Sequence, residues 1–108
     1  MAYTKGHIID FLEAVRKRPQ MYIGELNAKL MEYFINGFNV GCFASNIDER
    51  INFNHSISKS KVLIERGWGA GVFSPLKDMT VRGIPDEAII DELLAIEIDT
   101  WRRIINKP

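Results

Sequence analysis

The chain has 108 residues, with 14 Lys and Arg against 14 Asp and Glu, 46% hydrophobic residues and a single cysteine. That length supports one domain with one modest core, and the charge balance argues against a dedicated nucleic-acid binder, whose field would be basic. Cys42 alone excludes an intrachain disulfide, and the lack of a signal-like run or a membrane-spanning apolar stretch sets the expectation of a cytoplasmic protein.

The first element is a helix from an N-cap at Thr4 to about Arg18, because Ile8, Ile9, Phe11, Leu12 and Val15 fall mostly on one face. Arg16, Lys17 and Arg18 occupy its last turn, where cations suit the carbonyl end of the helix dipole. Pro19 cannot continue it, since it lacks an N–H and its ring clashes with the preceding turn. Met21, Tyr22 and Ile23 then fold back as an apolar plug, and Gly24 permits a turn. His7, in the first turn, has no metal-spaced partner and reads as a surface or capping residue.

A second helix starts near Leu26 or Asn27 and runs to about Ser45, with Leu30, Met31, Phe34, Ile35, Phe38, Cys42 and Phe43 as its apolar stripe. Glu32, Asn36 and Asn39 share another face. Gly37 and Gly41 each lower helix propensity by about 1 kcal/mol relative to alanine. Either tertiary packing holds this helix, or the glycines admit another segment. Cys42 on its apolar face reads as a small core residue rather than a nucleophile.

Residues 46–61 look irregular, because their Asn and Ser residues favour turns over helix interiors. Ile51 and Phe53 alternate with polar neighbours, which leaves a short strand or a docked loop open. His55 has the same plain reading as His7. A short third helix is expected over Lys61–Arg66, followed by Gly67-Trp-Gly-Ala-Gly71, which lacks the Gly-Lys-Ser/Thr of a phosphate loop. Trp68 is expected in the core, with Val72 and Phe73 adding apolar area. Residues 76–84 read as a connection punctuated by Pro75, Gly83 and Pro85.

The last helix starts at Pro85 and Asp86 and ends among Arg102, Arg103 and Lys107, complementing its dipole at both ends. Ile90, Leu94, Ile98, Trp101 and Ile105 form a stripe that Ile89, Leu93 and Ile96 widen. The chain is therefore expected to be all-α or mainly α: one domain over residues 1–108, with three to four helices packed around Phe11, Phe34, Phe38, Trp68 and Trp101 and an irregular central segment.

The phrase Glu13-Ala-Val-Arg-Lys-Arg-Pro…Met-Tyr-Ile-Gly24 resembles the opening of the ATPase domain of the gyrase B family. It is equally similar to small bacterial proteins carrying Arg-Pro-x-Met-Tyr-x-Gly, a following Phe-x-x-Gly helix and a later Gly-Trp, a group close to the immunity proteins of contact-dependent growth inhibition. The likeness covers about residues 8–45, and Arg66-Gly-Trp68 more weakly.

The gyrase likeness implies a general base at Glu32 and a magnesium ligand at Asn36, four residues apart on one helical face. The Asp-x-Gly-x-Gly segment and glycine-rich lid that would cradle the phosphates are missing, so nucleotide hydrolysis is not expected, and neither is a cofactor, a metal or a catalytic residue. A small nucleic-acid module built on Arg16–Arg18 and Tyr22 is opposed by the acidic last helix. The immunity likeness implies a cognate toxin domain as partner, in all expectation a nuclease, and no membrane. Residues 86–99 hold six carboxylates and no cation. An acidic surface can cover the basic cleft of a nuclease, so Asp91, Glu92 and Asp99 are the first candidates for the partner surface, joined by Glu25 and Glu32.

Overall fold

The computed structural model describes residues 5–45, 50–69 and 74–105. Among these residues helix is the only regular structure: α1 (Lys5–Lys17), α2 (Gln20–Ile23), α3 (Ala28–Ser45), α4 (Ile51–Glu65), α5 (Leu76–Val81) and α6 (Asp86–Ile105). The mainly helical class holds, with four long helices and two short ones in place of three to four. The Thr4 cap, the apolar Val72 and Phe73, and the Lys107 end lie outside the described residues.

The architecture follows from α6. Its positions 93–98 are all buried, and so are Ile89, Ile90, Thr100, Trp101 and Ile104. A helix buried over so broad a face must be covered from several directions, and α1, α3 and α4 each pack on it. From α1 come Ile8, Leu12 and Val15, and from α3 Ala28, Met31, Ile35 and Cys42, all buried.

Local chemistry sets the boundaries. Asn27 Oδ1 accepts hydrogen bonds from the Lys29 and Leu30 amides at 2.9 and 3.1 Å, which caps α3. The carboxylate of Asp86, from the far end of the chain, takes the Ala28 amide at 3.1 Å, so one acid anchors two helix starts. Gly24 adopts φ 84°, the left-handed conformation the turn before α3 requires.

Several expectations need correction. The expected irregular stretch is mostly α4, fifteen residues long. Ile51, His55, Val62 and Leu63 face inward, and their burial against α6 outweighs the weak propensity of Asn and Ser. Residues 76–84 include α5, whose Leu76 amide is capped by Ser74 Oγ and whose Met79 is buried.

Of the five aromatic residues expected at the centre, only Trp101 is fully buried. Phe11 instead stacks on Phe34 and Phe38 at 6.2 and 5.2 Å along one edge of the core, and Tyr22 meets Phe11 edge-on. Trp68 is half-buried, with the Arg82 guanidinium 4.8 Å from its ring centre. The apolar plug is partial: Ile23 packs on the core, while Met21 is left 69% exposed. No described helix is long and apolar enough to cross a membrane.

Candidate functional site

α3 and α4 both pack mainly on α6 and meet at Phe43 and His55, with a cleft of about 500 Å³ between their ridges. Each helix contributes a ridge with helical spacing: Glu32, Asn36, Asn39, Val40 and Phe43 on one side, and Asn52, Ser56, Lys59, Ser60 and Leu63 on the other. Phe43 lies beside His55, and Asn36 lines the same recess as Lys59, so the two ridges run antiparallel.

Beneath the cleft lies a carboxylate. Glu97 of α6 is fully buried and bonded from both walls: His55 Nε2 donates to Oε2 at 3.0 Å, Asn39 Nδ2 donates to Oε2 at 3.2 Å, and Lys59 Nζ donates to Oε1 at 2.5 Å. Trp101 Nε1 extends the chain by donating to Asn39 Oδ1 at 3.3 Å. No buried side-chain nitrogen or oxygen among the described residues lacks a partner. Burial alone would raise the Glu97 carboxyl, but the His55 hydrogen bond and the Lys59 charge outweigh it and hold the group down at about 2. Such a network ties α3 and α4 to α6 and fixes the shape of the cleft.

At one end Glu32 accepts a hydrogen bond from Ser74 Oγ. Glu32, Asn36 and Asn39 therefore do not form one solvated face: Glu32 is half-buried, Asn36 is exposed, and Asn39 belongs to the buried network.

The other carboxylates named from sequence lie elsewhere. Asp91 pairs with Arg16 through two bonds of 2.7 and 3.1 Å. The bond from that guanidinium pulls its carboxyl below the usual range. Glu92 and Asp99 share Arg66, at 2.8 and 2.9 Å, and Glu92 also accepts from Trp68 Nε1 at 2.9 Å. Arg102 reaches Glu13 at 3.2 Å and lies near Asp99. Glu25 is exposed between α2 and α3. The structure thus gathers Asp91, Glu92 and Asp99 on one helix whose acidity is largely neutralised by arginines of α1, the end of α4 and α6 itself, while Glu32 alone of the five opens on the cleft.

None of Asn39, His55, Lys59 and Glu97 was read as a site residue from the sequence. A signal existed for one of them. Glu97 stands three residues after Leu94 and four before Trp101, on the apolar stripe itself, where a carboxylate demands partners. Burial, with a smaller push from Glu97, raises the Cys42 thiol to about 11, so at neutral pH it is a protonated core residue. Comparison with protein-family models, with curated proteins and with solved structures finds no match to this chain.

Proposed function

We propose that the chain is an interaction protein of the immunity type, which binds a cognate toxin domain, in its best-fitting form a nuclease, and suppresses it. The supporting observation is the surface of the two cleft helices. Tyr33 and Val40 on α3 are 59% and 65% exposed, and Phe53, Ile57 and Ile64 follow an outer stripe of α4. Large apolar side chains exposed along both helices of a cleft favour protein binding there. The class of partner rests on the Arg-Pro-x-Met-Tyr-x-Gly likeness. Of the candidate residues, Glu32 sits within this region. Asp91, Glu92 and Asp99 would meet a partner only by exchanging Arg16 and Arg66 for its cations.

A nucleotide-binding reading gains something from Glu32 and Asn36 lining one cleft. Against it, Glu32 turns a carboxylate to the cleft and the Lys59 ammonium is already paired with Glu97, a poor setting for a triphosphate. Gel filtration with an inactivated toxin domain encoded beside this chain should give a stable complex, and the chain should suppress the active domain. Titration with magnesium and a non-hydrolysable ATP analogue should be silent at millimolar ligand. Absence of a toxin complex would overturn the proposal, and saturable nucleotide binding would then favour the nucleotide reading.

A further inference from the structure

Resting on that reading, we infer that the partner is engaged through the cleft between α3 and α4, by an extended loop of toxin backbone that carries a lysine or arginine to Glu32. Three features of the cleft lead to this occupant.

The first is length. The α4 ridge from Asn52 to Leu63 spans eleven helical steps, about 16 Å, room for roughly five residues of extended chain.

The second is the chemistry of the walls. Asn36, Asn52, Ser56 and Ser60 line the cleft with amides and hydroxyls, which can both donate and accept. Peptide backbone offers alternating N–H and C=O groups and is matched by such a wall. Lys59 spends one N–H on Glu97 and stays 20% exposed, so its remaining donors are open to a carbonyl.

The third is charge. Glu32 is the carboxylate that lines the cleft, and it disfavours an acidic segment and favours a basic one. Glu97 is sealed beneath its partners, whereas Ser74 takes only one oxygen of Glu32. The other oxygen is where a cation would bond. A loop at the rim of a nuclease cleft carries such side chains, since it must bind phosphates.

On α6, by contrast, the protein's own arginines already occupy Asp91, Glu92 and Asp99. Breaking those pairs would offset what a toxin cation gained.

The test uses the full chain and an inactivated toxin domain encoded beside it. Ser56→Trp fills the cleft from an exposed position outside the Glu97 network, and Glu32→Gln removes the charge while keeping the shape. Asp91→Lys perturbs the α6 face. All three should keep the parent's helical spectrum and melting behaviour. Ser56→Trp and Glu32→Gln should each weaken binding at least about tenfold, as loss of a central contact does, with Asp91→Lys close to the parent. If the parent binds and both cleft variants bind equally well, the cleft assignment is wrong and the immunity reading survives. Loss of binding in Asp91→Lys alone would move the interface to α6. If the parent forms no complex with the toxin domain, the immunity reading fails and this inference falls with it.

Discussion

Gly37 and Gly41 sit four apart on α3, and among the described residues nothing lies within 4 Å of where a Cβ would stand at either position. Close approach of another described segment therefore does not require them, and packing on α6 holds the helix despite their poor propensity. Both positions line a second, apolar groove of about 390 Å³ with Phe11, Phe38 and Cys42. Gly37→Ala and Gly41→Ala should each stabilise the protein, by about 1 kcal/mol, because alanine gives up less backbone entropy on entering a helix. Urea midpoints of the two variants check this. A loss of stability at either site would mean that the groove tolerates no methyl group.

At the scale of the elements, Glu97 is the tie between three helices, and its acidity has a measurable consequence. Folding takes its carboxyl from an ordinary 4.5 to about 2. A depressed carboxyl stabilises the fold above its unfolded value and loses that contribution as the pH falls through the folded one, here between about 4.5 and 2. The contribution is on the order of 3 kcal/mol. Glu97→Gln should therefore be markedly less stable than the parent at pH 7, with the gap narrowing as the pH drops through that window. A gap independent of pH would show that the charge of Glu97 is not what stabilises the tie.

The same elements mark what was legible in the sequence. α1, α3 and α6 could be read because their apolar residues recur at helical spacing and Pro19, Asn27 and Asp86 bound them. Of α4 only its end fell within the helix expected over Lys61–Arg66; the rest could not be read, because one of its four inward positions is His55, an imidazole that reads as polar, and because Asn and Ser fill its exposed turns. The site was hidden for a related reason. Glu97 belonged to an acidic run when read along the chain and became a buried hub only once α3 and α4 delivered Asn39, His55 and Lys59 from elsewhere in the sequence.

For the molecule as a whole, α6 supplies the surface on which α1, α3 and α4 assemble, and its residues make up much of the contiguous core. A fragment covering residues 1–85 keeps most of the chain yet loses that shared surface, and its remaining helices would expose Leu12, Val15, Met31, Ile35 and Leu63. It should be largely unfolded, with weak ellipticity at 222 nm and no cooperative melting, because the entropy of ordering would no longer be offset by burial. Adding residues 86–105 as a separate peptide should restore helicity. A fragment that melts cooperatively alone would show that α1, α3 and α4 form a core of their own.

The position of α6 along the chain also sets a timetable. Ribosomes add roughly 5–20 residues per second, so α1 and α3 wait for several seconds in the cell before the segment they pack on emerges. During that interval Leu12, Met31 and Ile35 have no native surface to cover them, and they are open to chaperones and proteases. Native packing of α1 and α3 is thus deferred until α6 has left the exit tunnel, a delay set by the place of α6 in the chain and not by the stability of the finished fold.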